Sequence, residues 1–153
     1  MISRKTKYAL QALGCLAEHA SGEPMLIADL AERERIPRKY LEAILVALRK
    51  GGVLTSRAGR GGGYQLAAPA GEITLARVVA ILDGDIAPLP CLADTNPVRC
   101  DECADLDTCG TRLVMLEVKR TVSATLDGLT LADLVERARD ARARRRGTPD
   151  FSI

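Results

Sequence analysis

The sequence predicts a mainly α-helical fold, and three observations support that prediction. Apolar residues recur at the three- and four-residue spacing of amphipathic helices in six stretches of the 153-residue chain. Serine, threonine, proline and glycine stand at the ends of several of these stretches, where helices begin and end. Only one pair of short strand-like segments interrupts the pattern, around a glycine-rich turn at 59–63.

The first 50 residues predict three helices. Ser3 is placed to cap the first helix, which runs to about position 20. The second helix covers about 27–33 and is separated from the third by a tight turn. Pro37 suits the first position of the third helix, because the N–H that proline lacks has no partner there. The pair Gly51-Gly52 ends that helix.

A β-hairpin follows the third helix. Residues 53–57 and 64–66 have strand-like composition, and the glycines between them exclude regular structure. Thr74 caps a fourth helix that ends at about Asp83. Three helices, with a tight turn before the third, and then a hairpin are typical of a winged helix-turn-helix. Residues 1–83 are therefore predicted to form one such DNA-binding domain.

The predicted domain is basic at the two places where a winged helix-turn-helix touches DNA. Residues 1–70 hold eleven Lys and Arg against six Asp and Glu, whereas residues 71–127 hold five against ten. The third helix buries an apolar face, to which Tyr40 is assigned, and turns Arg38 and Lys39 toward the major groove. The hairpin carries Arg57 and Arg60 beside glycines that let the backbone approach a phosphate closely. Double-stranded DNA is the predicted partner.

Four of the five cysteines, Cys91, Cys100, Cys103 and Cys109, fall within nineteen residues. Cys100 and Cys103 have the spacing of a metal chelate, and Cys109 starts a long predicted helix whose dipole favours a thiolate. The fifth, Cys15, is expected to fill the core. An iron–sulfur cluster, a structural zinc and a metal-free thiol–disulfide switch are the alternatives for the four. The surrounding acids either keep this loop soluble or lower the potential of a cluster: Asp94, Asp101, Glu102, Asp105 and Asp107.

After the cysteines the sequence predicts two helices and a tail. Val114, Val118, Val122 and Leu126 recur every fourth residue of the long helix. Thr130 and Asp133 have the spacing of a capping box for a last, short helix. We assign residues 84–110 to a cysteine-rich sensor loop, 111–136 to the long dimerisation helix and the last short helix, and 137–153 to a basic, flexible tail.

Much of the chain resembles one known family. Three stretches of the chain resemble the Rrf2 family of bacterial winged-helix transcriptional regulators, which has IscR- and NsrR-like iron–sulfur members. These stretches are YALQALGCLAEHA, IADLAERERIPRKYLEAILVALRKGGVLTSRAGRGGGYQLAAP and EITLARVV. The resemblance extends from Ile2 to Val135. It implies a homodimer, joined through the long helix, that binds an imperfect DNA palindrome. It also implies a contact surface, to which we add Arg60, made of Pro37, Arg38, Lys39, Tyr40, Glu42, Arg57, Gly61, Gly62 and Gly63.

The resemblance favours an iron–sulfur cluster, [2Fe–2S] rather than [4Fe–4S]. The best-known members use three cysteines and a fourth ligand of another kind, which in some is a histidine three residues after the last cysteine. Arg112 occupies that position here, and the start of the first helix lacks the carboxylate that other members use. We therefore expect four thiolate ligands, with zinc as the alternative metal: Cys91, Cys100, Cys103 and Cys109.

The sequence points away from an enzyme. His19 is the only histidine, so no Ser–His–Asp set exists, and the glycines at 59–63 lack the GK[ST] of a phosphate loop. No small-molecule substrate is expected. No apolar run approaches the ~20 residues of a membrane span. We see no signal peptide and expect a cytoplasmic protein without a membrane partner.

The predicted function is a DNA-binding transcriptional regulator, expected to be a repressor. Its operator affinity would depend on an iron–sulfur cluster or on the redox state of the clustered cysteines. The sequence leaves open whether the form with or without a cluster binds DNA. The alternatives are a regulator with a structural zinc or a thiol switch, and a zinc-stapled adaptor that binds protein.

Overall fold

A computed structural model describes residues 2–19 and 22–147 of the protein. In these residues the elements follow one another as α1 (Arg4–Glu18), α2 (Ile27–Glu34), α3 (Arg38–Lys50), β1 (Leu54–Arg57), β2 (Gly63–Leu66), α4 (Leu75–Leu82), α5 (Gly110–Asp127) and α6 (Leu131–Gly147). Short 3-10 turns lie at Ala70–Glu72 and Pro90–Leu92. The mainly α-helical fold class predicted from the sequence is confirmed.

The first three helices share an aliphatic core, because each has apolar residues on one side at helical spacing. Its fully buried side chains include Leu13, Leu30, Leu41, Ile44, Leu45 and Leu48. The Oγ of Ser3 accepts a hydrogen bond from the N–H of Thr6 at 3.2 Å, which caps α1 as predicted. This core fixes the orientation of α3, whose other side is exposed.

The turn between α2 and α3 spans residues 35–37. Arg35 adopts a left-handed conformation (φ 55°), and Ile36 is buried in the core. Pro37 precedes α3 as its N-cap, one position earlier than predicted, because its ψ of 124° is not helical. Its carbonyl accepts the N–H groups of Tyr40 at 2.9 Å and Leu41 at 3.1 Å, so the first turn of α3 is still satisfied.

The hairpin is fixed to the segment that precedes α2. Its antiparallel register pairs Leu54 with Leu66 and Arg57 with Gly63. The backbone of Tyr64 also exchanges two hydrogen bonds with Met25, at 2.8 and 2.9 Å. Met25 therefore pairs with the hairpin as a third, one-residue strand and fixes the position of the hairpin against the helices.

Helix α4 connects the N-terminal helices to the rest of the chain. It packs against α1, α3 and α5. The N–H and Oγ of Ser3 donate to the carboxylate of Asp83, the C-cap of α4, at 2.8 and 2.5 Å. Partial burial raises the pKa of Asp83, but the hydrogen bonds from Ser3 lower it further, so the pKa lies below its ordinary value of 3.8.

The prediction for α6 is wrong in the length of the helix. The capping box forms as expected, with Thr130 Oγ1 accepting the N–H of Asp133 at 3.3 Å. However, α6 continues to Gly147, so residues 137–147 of the predicted tail are helical. Alanine and arginine have high helix propensity, and Glu18 of α1 pairs with Arg142 at 2.8 Å. Residues 148–153 of the predicted tail lie outside the described residues.

The membrane prediction was checked on the described helices. Across 2–19 and 22–147, no helix combines the length and apolarity that a membrane span requires.

Candidate functional site

The N-terminal half of α3 presents a polar surface. Arg38, Lys39, Tyr40 and Glu42 are all exposed, whereas Leu41, Leu45 and Leu48 of the same helix are buried. The guanidinium of Arg38 pairs with the carboxylate of Glu42 at 3.2 Å, one helical turn away. Because both side chains are well exposed, this ion pair adds little stability and leaves the arginine available for another partner.

Tyr40 does not belong to the apolar face to which the sequence assigned it. Its side chain is 58% exposed, and its ring meets the edge of Tyr8 from α1 with centroids 6.3 Å apart. The contact orients the ring without burying it, because the position lies at the edge of the α1–α3 interface. Tyr40 therefore belongs to the same exposed surface as Arg38 and Lys39.

The tip of the hairpin carries exposed Arg57 and Arg60. Gly61 has a φ of +75° and open space around it, whereas Gly62 and Gly63 lie against backbone. A Cβ on Gly62 would lie 2.3 Å from the carbonyl oxygen of Arg57, and one on Gly63 would lie 2.2 Å from that of Met25. Glycine at 62 and 63 is thus required by the fold of the hairpin, whatever these positions contact besides.

The four clustered cysteines line one cavity of about 270 Å³. Cys91 is buried in the 3-10 turn, Cys103 and Cys109 are partly buried, and Cys100 is exposed. Cys109 is the N-cap of α5, as the sequence placed it. Leu89, Leu106 and Arg112 complete most of the wall. The fold brings all four predicted ligands to a single place.

The cavity is not closed around a single ion. In the described part of the chain, no three His, Cys, Asp or Glu side chains are close enough together to hold one metal ion. Desolvation raises the pKa of the Cys103 thiol, and negative charge on Cys109 and Cys100 raises it further, so these three groups do interact. Four thiols around one cavity are the donor set that iron–sulfur clusters and structural zinc require, so the residues present fit either group.

Cys15 is separate from this group. It lies 4% exposed in the core, between α1, α2 and α6, as predicted. Burial, with a contribution from the neighbouring Glu34, raises the pKa of its thiol to about 11. A thiol held neutral in this way is a poor nucleophile and a poor metal ligand at neutral pH.

Residues 84–109, here called the cysteine loop, are tied to α5 by Lys119. Its ammonium group bonds the carbonyl of Leu92 at 2.7 Å, and pairs with Asp94 at 2.7 Å and Asp85 at 3.2 Å. Only 12% of the lysine side chain is exposed. The hydrogen bond with Asp94 raises the pKa of Lys119 despite partial burial, so the group is charged and holds the start of the loop near Cys91.

The second part of the loop is held by its own residues. The guanidinium of Arg99 donates to the carbonyls of Cys103 and Ala104. The carboxylate of Asp105 accepts the N–H of Asp107 at 3.1 Å and the hydroxyl of Thr108 at 2.9 Å. Of the five acids that the sequence placed here, Asp94 and Asp105 thus have structural partners, while Asp101 and Glu102 are exposed.

A family match decides what kind of protein has this arrangement. Residues 2–137 match the Rrf2 family, described as iron-dependent transcriptional regulators. The chain belongs to the Rrf2 family. It is thus a helix-turn-helix transcriptional regulator that binds DNA, and the resemblance noted in its sequence is confirmed.

Individual relatives agree with this assignment. The chain is 41% identical over 138 residues to an rrf2-like helix-turn-helix transcriptional regulator of Rhodobacter capsulatus, covering 88% of this chain and 92% of that protein. The solved structure of IscR from T. potens is similar with a TM-score of 0.71 at 30% identity, covering 92% and 90% of the two chains. The structure of CymR, the global cysteine regulator of B. subtilis, has a TM-score of 0.73 at 27% identity, covering 90% and 97%. These similarities confirm the winged-helix fold.

Sequence reasoning missed two residues of this Rrf2 regulator. Lys119 and Arg99 organise the cysteine loop, but neither stands in a motif that the sequence displays. Lys119 gives one weak signal: it lies on the same side of α5 as the partly buried Leu116 and Ser123, where a charged residue is unexpected.

Proposed function

We propose that this Rrf2 regulator is a homodimer whose operator affinity is controlled by an iron–sulfur cluster held by four cysteines. One observation carries the proposal: Cys91, Cys100, Cys103 and Cys109 line a single cavity at the N-terminus of α5. Four thiols are the donor set of a [2Fe–2S] centre, and the resemblance to iron–sulfur members of the family favours that centre over one zinc ion. When bound, such a centre would supply a one-electron change that oxidants and iron supply can influence.

The DNA contact rests on the exposed half of α3 and the hairpin. Arg38 and Lys39 lie at the N-terminus of α3, the end that enters the major groove in helix-turn-helix proteins. Arg57 and Arg60 lie on the hairpin, where they would neutralise phosphates. The contact surface is the one expected from the sequence: Pro37, Arg38, Lys39, Tyr40, Glu42, Arg57, Arg60, Gly61, Gly62 and Gly63.

An exposed apolar stripe on α5 supports the homodimer. Its members are Leu113, Val114, Val118 and Val122, which are 39–56% exposed. Leu126, the last residue of the predicted stripe, is buried within the chain instead. Four neighbouring apolar side chains on one helix face favour packing against a second copy. A two-fold dimer would read an imperfect palindrome with its two α3 helices.

The chain itself connects the cysteines to this stripe. Cys109 ends the cysteine loop and begins α5, and Lys119 ties Asp85, Asp94 and the Leu92 carbonyl to the middle of that helix. A change in how the cysteines are held therefore acts on both the start and the middle of α5. Because α5 carries the proposed dimer contact, the same change would alter the spacing of the two α3 helices.

The metal proposal is tested with protein purified without air. Visible absorption, iron, acid-labile sulfide and zinc are measured for the wild type and for Cys91→Ala, Cys100→Ala, Cys103→Ala and Cys109→Ala. We expect equal iron and sulfide in the wild type and loss or change of the absorption in all four variants, with Cys15→Ala unchanged. A colourless protein with stoichiometric zinc would replace the cluster with a structural zinc. A metal-free protein with a reversible disulfide would indicate a thiol switch.

The DNA surface is tested on duplexes selected by the wild-type protein from a random library. Removing one phosphate contact reduces the slope of log affinity against log salt by about one. We expect that reduction for Arg60→Ala and a larger loss of sequence preference for Arg38→Ala. Arg120→Ala, an exposed arginine on α5, serves as the matched control. Affinities that do not differ among the three variants would contradict the proposed surface.

A further inference from the structure

Arg112 is the one residue of the cysteine cavity wall with a buried donor that lacks a partner. It lies on α5, three residues after Cys109, and is partly buried. Its Nε is buried and makes no hydrogen bond with the described residues. Arg112 also lines a neighbouring groove of about 680 Å³, as does Cys91.

A guanidinium in this position is costly without an acceptor. Arginine stays charged at all relevant pH values, and a buried donor without a partner costs about 1–3 kcal/mol, more for a charged group. Among residues 2–19 and 22–147, no carboxylate lies within ion-pair distance of Arg112. Arg38, Arg139 and Arg142 each form an ion pair with a carboxylate. A group bound in the cysteine cavity, whose wall includes Arg112, could supply the missing acceptor.

The other two cations near the loop are already committed. Lys119 bonds two carboxylates and a carbonyl, and Arg99 bonds two carbonyls of the loop itself. Arg112 alone among these three has an unused buried donor on the cavity wall. It is therefore the cation that remains available to the cysteines.

The filled site needs such a cation. Four thiolates around a dication, whether Zn²⁺ or an oxidised [2Fe–2S] core, leave a formal charge of about −2. Leu89 and Leu106 supply apolar wall, which stabilises charge poorly, and Glu102 on the same wall adds negative charge. Because the filled site carries negative charge, a fixed positive charge beside it favours the filled state.

We propose that Arg112 is the hydrogen-bond donor and counter-charge of the four-thiolate site, acting on the sulfur atoms as a positioning residue and not as a ligand. This inference rests on the proposed function, since it requires the four cysteines to bind a metal centre. It also gives the site a second connection to α5. When the centre is lost, the donor of Arg112, on the first turn of α5, loses its acceptor.

The test uses Arg112→Gln, Arg112→Lys and the control Arg120→Gln. Co²⁺ is titrated into reduced, metal-free full-length protein, and thiolate-to-cobalt charge-transfer absorption is followed. We expect Arg112→Gln to bind Co²⁺ about tenfold more weakly and Arg112→Lys a few-fold more weakly, because lysine keeps the charge but not the planar donor. Arg120→Gln should match the wild type. In cluster-loaded protein the midpoint potential of Arg112→Gln should fall, because the reduced centre carries one more negative charge than the oxidised one; loss of a tenfold preference for the reduced form corresponds to ~59 mV.

The outcomes separate this inference from the proposed function. If the wild type binds Co²⁺ without using the four cysteines, the metal site itself is refuted. If it uses them and Arg112→Gln has wild-type affinity and potential, only the role of Arg112 is refuted. Circular dichroism checks the fold of each variant. Should Arg112→Gln fail to fold, Arg112→Lys decides: weaker Co²⁺ binding supports the inference, and wild-type binding overturns it.

Discussion

Replacing Gly63 with alanine should loosen the hairpin from the helices. Gly63 has a φ of +140°, which an L-residue rarely adopts, and that strain alone costs about 1–3 kcal/mol. The new Cβ would lie 2.2 Å from the oxygen and 2.4 Å from the carbon of the Met25 carbonyl. Because these are backbone atoms, they cannot swing aside, and the two hydrogen bonds between Tyr64 and Met25 would break at ~1 kcal/mol each. The expected loss of unfolding free energy is about 4 kcal/mol.

Gly61→Ala is the matched control for this change. Gly61 also has a positive φ, +75°, but no heavy atom lies within 4 Å of the position of its Cβ. Only the left-handed strain of about 1 kcal/mol applies there. Urea unfolding followed by circular dichroism measures both variants, and DNA affinity is measured in parallel. A difference between the variants of less than 1 kcal/mol would refute the reasoning, because it would show that the contact with Met25 does not hold the hairpin.

Three further changes probe other parts of the molecule. Lys119→Met should lower the free energy of unfolding by about 2 kcal/mol, because it leaves its carboxylate partners unpaired, and it should lower metal retention. Arg120→Met should change the free energy of unfolding little in the same urea titration. Asp83→Asn should lower the free energy of unfolding by ~1–2 kcal/mol at pH 7. Because the folded pKa of Asp83 is below 3.8, this difference in stability should persist above pH 3.8 and shrink as the pH falls through the folded pKa. A difference that does not depend on pH would contradict the charged hydrogen bonds. Val118→Glu should convert the proposed dimer to a monomer in light scattering, because the charge falls in the exposed apolar stripe. Ala124→Glu, exposed on the same helix but outside the stripe, should have the same oligomeric state as the wild type.

Helix ends were predictable wherever a capping residue marks them. Ser3, Thr74 and Thr130 each cap the helix assigned to them, because an N-cap depends only on residues a few positions away. The order of helices and hairpin followed from the same local signals. Cys109 at the start of α5 was placed by the apolar repeat that follows it.

Contacts between distant segments were not predictable in this way. Lys119 and Asp85 are 34 positions apart, and nothing in either local sequence indicates the other. The length of α6 depends in part on Glu18, which reaches Arg139 and Arg142 from another helix. Tyr40 was misassigned because helical spacing places it beside Leu41 and Ile44, while only the packing of α1 shows where the core ends.

The two parts of the cysteine loop are held unequally. Lys119 ties the segment around the buried Cys91 to α5, whereas the segment with exposed Cys100 is held within the loop, through Arg99 and through the N–H of Val98, which donates to the carbonyl of Pro90 at 3.1 Å. In the proposed metal site, one sulfur would therefore be pre-positioned, and the others would close around the metal that it binds. The order of events on release is the reverse: an oxidant or chelator in solution reaches Cys100 first and Cys91 last. Loss of the metal centre would then begin at the surface and reach the buried Cys91 as its final step.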